Sequence, residues 1–100
     1  MPAKEEFIVL VSHDTDHGIG TNVCLVTDDF DKALRTCRNI ESLGYDMKSD
    51  QACTSVHCFE ADKAYRKKDF SMHNQHPLIF TREKVKGKWH EVWVRSGFKR

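Results

Sequence analysis

The stretch that most constrains this chain is its last quarter, residues 76–95, HPLIFTREKVKGKWHEVWVR. Two runs of strand-forming residues, 78–85 and 88–95, flank Lys86-Gly87. A glycine in a two-residue connection supplies the positive φ that a tight hairpin turn needs, so the segment predicts a C-terminal β-hairpin. With Lys86-Gly87 as the turn, Val85 faces Lys88, Lys84 faces Trp89, Glu83 faces His90 and Arg82 faces Glu91. Thr81 then faces Val92, Phe80 faces Trp93 and Ile79 faces Val94. This register creates an ion pair, an aromatic pair and a cation-on-indole pair across the strands. A loop one residue longer sets Glu83 against Glu91, two like charges directly opposite, which is unfavourable.

Alternation places Leu78, Phe80, Arg82, Lys84, Trp89, Glu91, Trp93 and Arg95 on one face. Ile79, Thr81, Glu83, Val85, His90, Val92 and Val94 fall on the other. Both faces are apolar at the base, so that end belongs inside a covered sheet and Trp93 is a core residue. The tip is cationic and aromatic: Arg82, Lys84, Lys86, Lys88 and Trp89. There the indole either carries the stem of Lys84 or anchors a partner, as Trp and Arg do at binding hot spots.

One hundred residues form one domain, 1–100, with no room for a second core. The hydrophobic share of 39% and the charged share of 31% fit a folded globular chain rather than a disordered one. The longest apolar run, residues 7–11, is far too short to span a bilayer. MPAKEEF has acids and no long apolar region, so it does not read as a secretory signal. The expected setting is therefore the cytoplasm, away from membranes, with Cys24, Cys37, Cys53 and Cys58 as reduced thiols. Charge is lopsided. Residues 1–50 hold five Lys/Arg against ten Asp/Glu, and residues 51–100 hold eleven against five. Either the halves fold together and neutralise each other, or the surface meets an acidic partner or a second copy of the chain.

Along the chain, residues 6–12 read as a central strand, apolar on both faces. Residues 13–21, HDTDHGIGT, read as a polar loop, and 22–27 as a second strand. Residues 28–43 are the best helix. Thr27 or Asp28 caps it, acids fill its first turn, and Phe30, Ala33, Leu34, Cys37, Ile40 and Leu43 make one apolar stripe. Gly44 is its left-handed stop. Residues 45–51 read as a loop, 52–60 as a strand, 61–69 as a short helix, and 96–100 as a mobile tail. The class is α+β: a four- or five-stranded, mainly antiparallel sheet with the long and the short helix packed against it.

Three constellations carry candidate chemistry. His13, Asp14, Asp16 and His17 lie within five residues, with donors suited to zinc, iron or manganese or to acid–base work. The alternative is a solvated loop whose aspartates cap its own turns. Cys53, His57, Cys58, His73 and His76 are loosely zinc-like, but their spacing is not that of a structural finger, and on a strand Cys53 and Cys58 point to opposite faces. The basic surface comprises Arg66 and Lys67 of the short helix with Arg82, Lys84, Lys86, Lys88 and Trp89 of the hairpin. The reading drawn from these residues is a small intracellular binding module, a regulator or inhibitor acting on a protein partner through the hairpin tip and the adjacent basic helix. The alternatives are single-stranded nucleic-acid binding and a metal-dependent enzyme centred on HDTDH. The residues specify no cofactor.

Overall fold

The computed structural model describes residues 4–70 and 77–100. Its elements are β1 (Glu5–Thr15), β2 (Gly18–Thr27), α1 (Phe30–Arg38), β3 (Cys53–Glu60), β4 (Leu78–Val85) and β5 (Lys88–Trp93). Short 3-10 turns lie at Ile40–Leu43, Lys67–Phe70 and Ser96–Phe98. The five strands form one sheet in the order β2-β1-β3-β4-β5, every pair antiparallel. With α1 laid against β1, β2 and β3, the fold is α+β. No helix among the described residues is long and apolar enough to cross a membrane.

β1 owes its interior place to its unbroken apolar run. Phe7, Ile8, Val9, Leu10 and Val11 are all buried, as a strand covered on both faces requires. The odd-numbered residues join the helix side: Phe7 and Val9 pack with Phe30, Ala33, Leu34, Cys37, Val56 and Phe80, and Val11 packs with Ile40, Met47 and Ala52. Ile8 and Leu10 pack with Phe59 and Tyr65 on the opposite face.

Two bulges depart from simple alternation. Val9 pairs with Leu25 but Leu10 pairs with Val23, which leaves Cys24 as an extra residue in β2. Val56 pairs with Phe80 but His57 pairs with Leu78, which leaves Ile79 as the extra residue in β4. An inserted residue lets two consecutive side chains share a face. Cys24 and Leu25 both pack on the helix-side cluster, and Ile79 and Phe80 both belong to it. The strict alternation that put Ile79 on the other face is corrected accordingly. Beyond the bulge, β4 and β5 pair from Phe80↔Trp93 to Val85↔Lys88, the register expected from Lys86-Gly87.

The long helix is shorter than its stripe suggested. Asp29 caps α1 by accepting from Lys32 N–H at 3.2 Å, and Thr27 Oγ1 accepts from Asp29 N–H at 3.1 Å. The helix stops at Asn39, where Arg82 reaches across from β4. Its Nη1 donates to the Cys37 and Arg38 carbonyls at 3.2 and 2.9 Å, and so satisfies acceptors that a helix end leaves open. The chain continues as the 3-10 turn Ile40–Leu43, which ends on Gly44 at φ +90°. Ile40 is buried, but Leu43 at the end of the stripe is half exposed.

Three further expectations are corrected. Residues 13–21 are not a loop: β1 runs through His13, Asp14 and Thr15, and Thr15 pairs with Gly18 across an Asp16-His17 turn. Residues 61–69 are not a helix. Asp62 sits at φ +62°, outside the right-handed region, and only the 3-10 turn Lys67–Phe70 is helical, opened by Asp69 Oδ2 accepting from Arg66 N–H at 2.8 Å as in a capping box. The segment also has no apolar stripe, and packing of such a stripe is what stabilises a short helix. The tail is docked rather than free. The Phe98 ring lies 5.1 Å from that of Phe30 and 6.0 Å from that of Phe7, and Arg100 pairs with Asp31 at 3.3 Å.

Candidate functional site

Both hairpin turns lie at one end of the sheet. Ser12 pairs with Cys53 and Cys53 pairs with Glu83, so Asp16-His17 and Lys86-Gly87 leave the sheet in the same direction. Three strand spacings of about 4.8 Å separate them by roughly 14 Å. The connector between α1 and β3 fills that gap and ties to both turns. Asp14 N–H donates to the Asp46 carbonyl at 2.9 Å, Ser49 N–H donates to Asp14 Oδ2 at 2.9 Å, and the Tyr45 ring meets His13 edge-on at 5.0 Å. On the other side Lys84 Nζ donates to the Met47 carbonyl at 2.9 Å and Gly87 N–H to Asp50 Oδ1 at 3.4 Å. Buried Met47 anchors the connector beneath this end. Nothing in the sequence signals this brace, because residues 45–51 show neither helical nor strand periodicity.

The basic residues divide into two groups. Arg82 is nearly buried: besides capping α1, its Nε pairs with Glu91 at 3.1 Å, and Arg38 meets the same carboxylate at 3.0 Å. The Arg82 guanidinium lies 4.5 Å from the Trp89 ring centre, and Lys84 Nζ lies 5.5 Å from it. Trp89 is half-buried, packs beside Val11, Ile40, Met47 and Ala52, and donates Nε1–H to Glu41 at 2.9 Å. Arg82, Lys84 and Trp89 are thus committed within the chain and hold the hairpin in place. Lys86 and Lys88 are exposed at the tip, beside Val85 at 46% exposure. Arg66 and Lys67 are exposed in the β3–β4 connection, which leaves the sheet at the far end from Lys86. The length of β4, at about 3.3 Å per residue, puts them roughly 25 Å from the tip. The fold therefore does not join the two basic groups into one surface.

The HDTDH residues serve the turn. His13 Nε2 meets Asn22 Nδ2 at 2.7 Å, Asp14 accepts from the connector, and Thr15 Oγ1 accepts from His17 N–H and donates to the Gly18 carbonyl. Asp16 and His17 are exposed at the apex. Successive positions on β1 send His13 and Asp14 to opposite faces, so the four side chains do not converge. Among the described residues no three His, Cys, Asp or Glu side chains gather as a metal site requires.

Cys53 and Cys58 stand near opposite ends of β3. Burial pushes the Cys53 thiol up to about 11, with Glu83 adding to the rise. Burial and then Glu5 raise Cys58, against a smaller opposing effect of Arg95. Neither thiol is poised as a thiolate at neutral pH. His57 is buried within the sheet, and His73 and His76 lie outside the described residues. A cleft of about 230 Å³ opens at the far end of the sheet, where Cys58 meets Glu5, Lys63, Tyr65, Asp69 and Arg95. It sets both signs of charge beside Phe59, Tyr65 and Pro77, a mixed lining rather than the mostly apolar one that small-molecule sites favour. No family model, no curated protein and no solved structure matches this chain.

Proposed function

We propose that the chain is a binding module that regulates or inhibits a protein partner through the turn end of its sheet. The observation that supports this reading is the brace. The connector is hydrogen-bonded to both hairpins, while Asp16, His17, Val85, Lys86 and Lys88 are left exposed at the tips. Contact groups already held in place lose little conformational entropy when they dock. The two tips differ in charge. Asp14 and Asp16 mark one, Lys86 and Lys88 the other, so a partner with the complementary pair of patches is oriented as well as attracted.

The test uses a photo-crosslinking amino acid placed in turn at Lys86, Lys88, Arg66 and Lys67, in cells that make the natural partner. The reading expects one protein adduct from positions 86 and 88, lost in Lys86→Glu/Lys88→Glu without a change in melting temperature. The same adduct from positions 66 and 67, or none from 86 and 88, contradicts it.

A further inference from the structure

The two outer strands of the sheet are β2 and β5, and they are defended very differently. Natural sheets blunt a free edge with charge, proline, shortness or a bulge. β5 has six residues and exposes Lys88, His90 and Glu91. β2 has ten residues, GIGTNVCLVT, without a charged side chain, a histidine or a proline. Its one device is the bulge at Cys24, which leaves Gly18–Val23 as a straight, uncharged edge. On the face away from α1, Ile19, Thr21 and Val23 stand beside Asp14, Ser12 and Leu10. Ile19 is 40% exposed and Val23 52%.

We propose that β2 is a dimerisation edge: two copies of this chain pair antiparallel through Gly18–Val23, with Thr21 on the two-fold axis. That register keeps odd-numbered residues opposite odd-numbered residues, as a continuous pleat demands. Ile19 then faces Val23 of the second copy, twice over, and Thr21 faces its own mate. β-branched and Thr–Thr pairs of this kind stabilise antiparallel ladders. A two-fold contact places every residue opposite a copy of the same strand, and an uncharged strand meets no repulsion there. The charged β5 edge offers no such match, so the assembly closes at two copies instead of growing as a filament. Each dimer presents two turn ends, pointing in opposite directions.

Sedimentation velocity of the full chain, from micromolar to near-millimolar concentration, tests this. The expected result is a reversible dimer, weakened on the order of tenfold or more by Ile19→Lys or Val23→Lys and unchanged by Val92→Lys on the other edge. Both β2 positions are exposed, so circular dichroism of each variant should match the parent. A second readout needs no variant: the Thr21 amide gains exchange protection as concentration rises. A monomer at every concentration, a dimer indifferent to Val23→Lys, or a dimer lost in Val92→Lys overturns the proposal.

Discussion

The two hairpins share a plan and end in different states. Each joins its strands through two residues, Asp16-His17 in one and Lys86-Gly87 in the other. In each, the inner strand enters the core. The outer strands differ. β5 is tied down by Trp89 on Glu41, by Glu91 on Arg38 and Arg82, and by Trp93 against Phe80 at 4.6 Å. β2 meets the helix side through Cys24 and Leu25, and leaves Ile19, Val23 and Val26 at 40–57% exposure. Pairing in a sheet does not by itself commit a strand to the interior. Side chains that reach a third element do, and β2 has fewer of them.

Four comparisons sharpen this contrast. The largest effect belongs to Phe80→Ala, a ring with no exposure in the main cluster. Urea denaturation should show a loss of about 3–5 kcal/mol, against a change within about 0.5 kcal/mol for Val23→Ala on β2. Next comes Arg82→Ala, which uncaps α1, leaves Glu91 with Arg38 alone and bares one side of Trp89. A loss of about 2–3 kcal/mol is expected, while Lys86→Ala at the tip stays within about 0.5 kcal/mol. Equal losses at positions 82 and 86 would erase the division between brace and contact residues.

The turns themselves give smaller shifts. Gly18 holds φ +110°, so Gly18→Ala should cost about 1–2 kcal/mol. Lys86 holds φ +51° without being glycine, and Lys86→Gly should gain up to about 1 kcal/mol in the same melts. A loss in the second case would show that the Lys86 side chain itself stabilises the turn.

The least effect is alkaline. Burial pushes Cys37 up to about 12 and Cys24 up to about 11, from an ordinary value near 9. The folded chain holds these protons more tightly than the unfolded chain. Stability from this source is therefore complete below about pH 9 and falls as pH rises from 9 towards 11 and 12. Urea midpoints measured through that range should decline, and Cys37→Ala should flatten part of the decline.

What was legible in the sequence follows the same division. The β4–β5 register could be read because Gly87 marks the turn and because charge and aromatic pairs penalise every other alignment. β1 and the stripe of α1 could be read because burial imposes periodicity. The β1–β2 hairpin could not. His13, Asp14, Thr15, Gly18 and Gly20 form strand ends of polar residues and glycines, so no apolar alternation distinguishes them from a loop. The two bulges were invisible because one inserted residue leaves composition unchanged. The carbonyls at the end of α1 are met by Arg82, distant in sequence, so no local pattern marks that end. Of the acids in the first half, Asp31 pairs with Arg100 of the second, while Glu41 and Asp50 accept from neutral donors, the Trp89 indole and the Gly87 backbone.

The connector ties both hairpins into one built unit at the turn end. Amide hydrogen exchange, read residue by residue by NMR, tests it most directly. The Asp14 and Ser49 amides should be protected together in the native chain, and Asp14→Ala should abolish the protection of Ser49 while β4 and β5 keep theirs. A Ser49 amide that exchanges at the rate of an unfolded peptide in the unmodified protein would contradict it.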